Sequence, residues 1–592
     1  MRLADYTIEF LANKGIKNIF MVTGRGILFL TDAVAKNNGI RSFSLHHEQS
    51  CAFAAIADSI INRNTGCCLV STGCGATNAI TGVLNAYQDM VPLIFISGNN
   101  PLNETTVFNK TGIRTYGSQE LDIVSIVKPI TKYAVMITNP NDIAYELEKA
   151  YYIANEGDKG PVWIDIPLDI QNSRVEVEDL HYFNEVIENR IELDKKGANE
   201  IISEIEKSSR PIFIIGSGLK NANAVDGFVK LVDNTNIPFV YTPSAVDSVD
   251  GTNDLNIGCV SSLGGSREGN FAVQNSDLMI VLGSRMSSMI TGGIYDKFGK
   301  YAKKIIVNWN KDECKKNNIK FDYVLNADVK DFINYTLQKI NYTADKKWID
   351  KCVHWKETLT LCNSKYADNE KIDLYSLAGA LSKEIDSNTC VVTDAGFEEL
   401  ILPSNIKFIN GSRCIHPVSQ GSMGFALPAS IGVAINGNKK VVCIVGDGSI
   451  MMNLQELQSI VSNNLKVKIL IINNNNYAVI RKRQKDLFRN RIIGTDDTNG
   501  VTTPNWKSVA DCFNFNYIRI SNSSELTDKL HNIFNTDDRI ICEIICDENQ
   551  KYLHTSIMKT EDNKFLRRPM EDQSPFLDRE LIKSELLIPY EE

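Results

Sequence analysis

VVCIVGDGSIMMNLQELQSIVSNNLKVKILIINN, residues 441–474, decides the fold. Its ends, VVCIV and VKILII, are short unbroken apolar runs, the pattern of strands buried on both faces. Between them Ile450, Met451, Leu454, Leu457, Ile460 and Val461 recur at helical spacing, which predicts the crossover helix of a right-handed βαβ unit. The two strands are then parallel neighbours. Gly446-Asp447-Gly448-Ser449 and Asn473-Asn474 fall at their carboxyl ends, the edge where open α/β sheets bind ligands. Asp447 and Asn474 offer oxygens to magnesium, a hard cation that keeps phosphate oxygens and water in its octahedron, and the Asn476 carbonyl completes the set. Gly446 and Gly448 let backbone amides approach a diphosphate, and Ser449 is expected to begin a helix whose N-terminus favours an anion. A lone Gly-Asp-Gly is an ordinary turn. The asparagine pair beginning 24 residues after Ser449 makes it a site.

At 592 residues, 43% hydrophobic and 23% charged, the chain can bury several large cores and is expected to form about three domains. A net charge of -9 argues against nucleic acid as partner, and the short basic run RKRQK (481–485) reads as a solvated or site-lining helix. Fourteen cysteines include no zinc-type pairs; Cys67, Cys68, Cys443 and Cys542 lie in apolar runs, where free cysteine behaves as a small hydrophobe. That usage implies a reducing compartment. MRLADYTIEFLANKG reads as an amphipathic helix rather than a signal peptide, and no stretch of 18 apolar residues occurs. A soluble cytoplasmic protein without membrane contact is expected.

Residues 1–178 alternate strand-like runs (IKNIFMV, CCLVS, PLIFISG, PVWIDIP) with helical ones, the mark of a parallel α/β domain. A polar stretch from 179 to about 200 reads as a linker into a second α/β domain, placed at 192–340, with strands PIFIIGSG, LMIVLGS and KIIVNWN. A second linker is read at 341–371, and the third domain, 372–550, holds the opening motif. Residues 551–592 read as an irregular tail that packs on a neighbour or covers the site.

In the first domain HHEQSCAFAAIADS (46–59) places Glu48 at the start of an amphipathic helix after a strand, and STGCGATNAITG (71–82) places glycines after the next strand. A glutamate in a first turn commonly does no more than complement the helix dipole. Beside a diphosphate–magnesium site it acquires another role. Thiamine diphosphate needs one carboxyl that shares a proton with its aminopyrimidine ring; the cofactor supplies the electron sink, the protein geometry and proton traffic.

The chain resembles the acetolactate synthase group of thiamine diphosphate enzymes along essentially its whole length. The resemblance is carried by HHEQ (46–49), TGCGATN (72–78), DMVPLIFISG (89–98), SQE (118–120), ITKY (130–133), GPVWIDIPLDIQ (160–171), GSMGFALPASIG (421–432), GDGSIMMNLQEL (446–457) and NNNNYAVI (473–480). It implies three parallel-sheet α/β domains in the order pyrimidine-binding, central, diphosphate-binding. It makes Glu48 the cofactor-activating acid and Gln119 a polar group near the reacting carbon. Thr72, Asn78, Gly396, Gly446, Gly448, Ser449, Asn476 and Ala478 become cofactor contacts, and Met423 the apolar wedge that bends the cofactor. Asp447, Asn474 and Asn476 hold magnesium. It also implies a homodimer or homotetramer in which Glu48 of one chain serves Asp447 of another. The implied reaction is decarboxylation of pyruvate and transfer of the two-carbon unit to a second oxo compound. A decarboxylase that releases an aldehyde and a non-catalytic structural or regulatory paralogue are the alternatives.

The chain departs from the group at three places. Where members carry an Asp-Asp-Arg-like run in the central domain, this sequence has GSRMSSMITG, so Ser287, Ser288 and Met289 replace the charges that steer the acceptor. Arg25, in VTGRGILFL, stands where the group tends to have a small residue, and Ser118 replaces a phenylalanine near the substrate. An enlarged pocket would admit a bulkier acceptor such as a keto-sugar. Gly216, Gly218, Gly283, Arg285 and Asp328 match positions that approach FAD in the group, so FAD is a possible third cofactor. The strand end usually rich in aspartate, however, reads Asn308-Trp309-Asn310.

Overall fold

The computed structural model describes residues 1–184, 191–316, 319–362, 370–559 and 565–590. Three six-stranded sheets, each wholly parallel, follow one another along the chain. The first contains β1 (Asn18–Met21), β2 (Arg41–Ser44), β3 (Gly66–Val70), β4 (Leu93–Asn99), β5 (Tyr133–Met136) and β6 (Pro161–Pro167), in the order 2-1-3-4-6-5. The second contains β7 (Pro211–Ile215), β8 (Phe239–Tyr241), β9 (Asn256–Cys259), β10 (Leu278–Leu282), β11 (Lys303–Asn308) and β12 (Tyr323–Asn326), ordered 12-11-10-7-8-9. The third contains β13 (Thr389–Thr393), β14 (Arg413–Ile415), β15 (Lys440–Gly446), β16 (Val467–Asn473), β17 (Asn516–Ile520) and β18 (Ile540–Ile545), ordered 14-13-15-16-18-17.

The opening stretch folds as β15 and β16, paired in parallel from Val441 opposite Val467 to Gly446 opposite Ile472. The crossover differs from the single helix that the periodicity predicts. A 3-10 turn, Ile450–Met452, is followed by a break at Asn453, and the α-helix runs only over Glu456–Ser462. Asn453 leaves helical dihedrals because its side chain is bonded to Gln49 and to the Gly424 carbonyl. Ile450, Leu457 and Ile460 are buried, but Met451 is 43% exposed and belongs to no buried face. Ser449 therefore precedes a single 3-10 turn rather than an α-helix.

The helix Glu48–Asn62, expected to be amphipathic, is buried at every position from Ser50 to Ser59. The first sheet covers one side, and the helix Ala426–Ala434 of the third domain covers another. The approach is close enough that a Cβ on Gly432 would overlap the Ala54 carbonyl oxygen. Gly432→Ala is expected to cost about 1–3 kcal/mol of overpacking strain, read as a lower midpoint of thermal unfolding; an unchanged midpoint would contradict this packing.

Two further expectations are corrected. The stretch read as a linker at 341–371 contains the helix Lys346–Thr358, whose Trp348, Cys352 and Trp355 are buried in the central domain. Lys346, Lys347, Asp350 and Glu357 fill its outer face, which is why the segment reads as polar. The tail is not irregular throughout: strands Ile557–Lys559 and Phe565–Arg567 pair antiparallel, and a helix spans Arg579–Glu585. It packs on the central domain of its own chain. Ile582 joins the Trp348–Trp355 cluster, and Glu585 accepts from Lys351 Nζ at 2.7 Å and Trp355 Nε1 at 3.0 Å. Among the described residues no helix is long and apolar enough to cross a membrane.

Candidate active site

At the carboxyl edge of the third sheet, Asp447 is 2% exposed. One carboxylate oxygen accepts from Gly448 N–H at 2.8 Å, and the other from Asn475 N–H at 2.6 Å and Asn474 N–H at 3.2 Å. Burial pushes its pKa up to about 7, the backbone donors pulling the other way. A carboxylate so placed is stabilised by a cation. Asn475 takes a left-handed conformation (φ 55°), which turns the chain so that Asn474 and Asn476 close on each other. Asn476 Nδ2 donates to the Asn474 carbonyl at 2.6 Å, whereas Asn476 Oδ1 is buried with no hydrogen-bond partner among the described residues. One carboxylate, amide oxygens and an orphaned acceptor make an all-oxygen donor set, and such a set fits magnesium. Asn473, the first of the pair, is consumed elsewhere: it donates to Glu543 on β18 at 2.6 Å.

The phosphate side is built by close approaches. A Cβ on Gly448 would overlap the Tyr477 ring, while one on Gly446 or Gly396 would lie 2.6 Å or 2.5 Å from the Glu398 carboxyl. Two α-helices begin here, Phe397–Asn405 after Gly396 and Ala478–Leu487 after the asparagines. Their N–H ends supply the anion-favouring field expected of Ser449. Ser449 instead donates to Asp394 and accepts from Gly424 N–H at 3.0 Å.

Asp394 was not singled out in the sequence, yet it organises the site. It accepts from the N–H groups of Ala395 (2.9 Å), Gly424 (2.9 Å) and Ala426 (2.7 Å) besides Ser449, which fixes the Met423 loop against the Asp447 motif. The signal was available: CVVTDAG repeats the motif's apolar run followed by Asp, on the neighbouring strand β13. Glu398 was missed too. Burial holds its carboxyl well above the usual range, reinforced by Asp394 and Asp447.

In the first domain Glu48 follows the N-cap His47, whose Nδ1 accepts from Gln49 N–H at 3.1 Å. Asn78 Nδ2 donates to Glu48 Oε2 at 2.9 Å, and Gly75 leaves room for Oε1, 3.1 Å from where its Cβ would be. Gly73 (φ 60°) lies against the carbonyl of Gln119, itself left-handed at φ 63°. Thr72 Oγ1 reaches the same carbonyl at 3.4 Å. The structure thus gathers Glu48, Thr72, Asn78 and Gln119 at one sheet edge. The turn Arg25–Ile27 joins them, with Gly26 N–H donating to Ser71 Oγ at 3.3 Å and the Arg25 side chain exposed.

The first and third domains touch within the chain. His46 N–H donates to Glu456 at 3.1 Å, Ser50 Oγ to Asn453 at 3.0 Å, and Ser422, beside the half-buried Met423, to Asn85 at 3.0 Å.

Comparison with known proteins names this arrangement. Residues 1–126 match the thiamine pyrophosphate enzyme N-terminal TPP binding domain, 198–336 the central domain, and 394–544 the C-terminal TPP binding domain. The acetolactate synthase large subunit of Cyanidium caldarium is 30% identical over 557 residues, covering 91% of this chain and 92% of that one. The chain belongs to the acetolactate synthase family of thiamine diphosphate enzymes. Isozyme 1 of the Escherichia coli (strain K12) acetolactate synthase large subunit is 28% identical over 550 residues, covering 93% of this chain and 94% of its own length. The Lactococcus lactis large subunit is 28% identical over 558 residues, with 93% of each covered. The chain is accordingly a thiamine diphosphate-dependent carboligase resembling acetolactate synthase, and the non-catalytic alternative falls away.

In this family member's central domain, Gly218, Gly283, Arg285 and Asp328 line a cleft of about 360 Å³ with Asn308 and Trp309. Gly216 does not line it; a Cβ there would overlap the Gly283 carbonyl, so this glycine serves strand-end packing. Asp328 caps the helix Val329–Lys339 through Lys330 N–H at 2.7 Å. Arg285 bonds the Gln88 carbonyl at 3.1 Å and Ser419 Oγ at 2.7 Å, tying the central domain to both others.

Proposed function

We propose that this enzyme decarboxylates pyruvate and transfers the two-carbon unit to a second oxo compound, a second pyruvate or a keto-sugar. The observation that carries the reading is the gathering of Glu48, Asn78 and Gln119 at one sheet edge and of Asp447, Asn474 and Asn476 at another. Thiamine diphosphate, when bound, supplies the electron sink that lets a 2-oxo acid lose carbon dioxide. Glu48, held by Asn78, would exchange a proton with the cofactor's ring nitrogen. Asp447, Asn474 and Asn476 would hold magnesium against the diphosphate. Gly396, Gly446, Gly448 and Ala478 would admit it, Met423 would support the bend, and Gln119 would face the reacting carbon.

Holding the acceptor beside the two-carbon unit makes ligation effectively unimolecular, so the acceptor's anionic group needs a clamp. Ser287 and Ser288 carry no charge for this. Arg25 is exposed at the edge that carries Thr72 and Gln119, and we assign it the clamp. Arg25→Ala is expected to raise the acceptor KM about 10- to 100-fold, the worth of one charged hydrogen bond, with kcat little changed; an unchanged KM would remove Arg25 from that role.

FAD is the further cofactor we propose, supported by the cleft at Gly218, Gly283 and Arg285. A colourless purified protein would count against it. A homodimer or homotetramer is supported by large apolar side chains exposed near both halves, Met451 (43%), Met452 (51%) and Ile480 (51%) on one, Ile113 (50%) and Tyr116 (52%) on the other. A cytoplasmic location is supported by fourteen free cysteines.

Mass spectrometry of products from pyruvate, thiamine diphosphate and magnesium tests the function. Acetolactate from pyruvate alone identifies pyruvate as acceptor, and ligation only with an added keto-sugar nucleotide identifies the sugar. Acetaldehyde alone contradicts ligation.

A further inference from the structure

A cavity of about 610 Å³ lies away from every residue assigned above. It opens between the central and third domains. Glu268 and Lys356 bound it on one side, and Ser382, Ser404 and Lys407 on the other.

Glu268 is the second residue of the helix Arg267–Asn275 and only 8% exposed. Its Oε2 is buried and has no hydrogen-bond partner among the described residues. Burial pushes the carboxyl up to about 7, against the pull of nearby positive groups that include Lys356 and Lys407. Gly258, at φ 134°, keeps the wall above it thin: a Cβ there would sit 3.5 Å from Glu268 Cγ. Lys356 donates to the Asn253 carbonyl at 2.8 Å, which engages one of its three N–H bonds, and burial lowers its pKa. Lys407 is exposed at the mouth.

A buried carboxylate oxygen without a donor is a group whose partner has to be found. An apolar guest leaves it and the lysines unmatched. A simple cation meets the lysines, and a simple anion leaves Glu268 unmatched. We propose that this cavity is a binding site for a small organic anion that also carries a hydroxyl or ammonium donor, Lys356 and Lys407 facing the anionic group and Glu268 the donor. The volume suits a molecule the size of an amino acid or a sugar phosphate. The proposal does not depend on the carboligase reading.

Titration calorimetry of the full-length protein, preloaded with thiamine diphosphate and magnesium, tests it with glucose 6-phosphate and L-serine as probes and glycerol as neutral control. At least one charged probe is expected to bind with a Kd of about 1 mM or tighter, glycerol not at all. That binding should weaken at least tenfold in both Lys356→Met and Glu268→Gln, while their turnover of pyruvate stays at the wild-type level and shows that they are folded. Absence of binding by both probes, or binding undiminished in both variants, would overturn the proposal.

Discussion

Glu48→Gln is expected to lower turnover of pyruvate by about 10²- to 10⁴-fold, the usual worth of a positioned acid–base group. The amide keeps the size of the side chain and can still pair with Asn78, which now donates 2.9 Å to Glu48 Oε2. It cannot exchange a proton as a carboxyl does. Glu48 is itself buried at the helix start, and the amide of equal size keeps its packing. Thermal stability and cofactor affinity should therefore stay near the wild-type values while turnover collapses. Equal loss of stability and turnover would instead make Glu48 a structural residue.

The second large effect is expected at Asp447. Asp447→Asn removes the only carboxylate of the proposed magnesium set and gives its pocket an N–H₂ group facing the amides of Gly448, Asn474 and Asn475. Donors then face donors in a buried site, and the cation loses its charge partner. The affinity for thiamine diphosphate measured in magnesium should fall by about 100-fold or more, as expected when a charged hydrogen-bonded partner is lost. Raising magnesium should recover part of it. Glu48→Gln should show no such magnesium dependence, which separates the two halves of the site experimentally. Wild-type cofactor affinity in Asp447→Asn would move the metal elsewhere.

The legible parts of the fold are those in which burial alone dictates composition. In the first sheet β1, β3, β4 and β6 are internal, and their apolar runs stand out; β2 and β5 are the edges, partly exposed along their length, and are invisible to the same reading. The second sheet repeats this: β7, β10 and β11 are legible, while β8 has only three residues and β12 is a half-exposed edge. Within the site the same contrast holds. Asp447, Asn474 and Glu48 sit at strand or helix boundaries that the apolar pattern marks. Asp394 ends an apolar run as Asp447 does, but its role, like that of Asn453, lies in hydrogen bonds to backbone far away in sequence, and Glu398 acts through a fold that brings Gly396 beside Gly446, so no local spacing announces those roles. The crossover reads as one helix because the 3.6-residue pattern continues through Asn453 although the tertiary bonds of that side chain interrupt it.

In the proposed mechanism Glu48 activates a cofactor whose diphosphate is anchored at Asp447. The most direct test of this is the rate of hydrogen–deuterium exchange at the thiazolium C2 of bound thiamine diphosphate, followed by quenched-flow NMR in the wild type and in Glu48→Gln. Rapid exchange is expected in the wild type and exchange slowed by about 10²-fold or more in the variant, with the cofactor still bound in both. Equal exchange rates would contradict it.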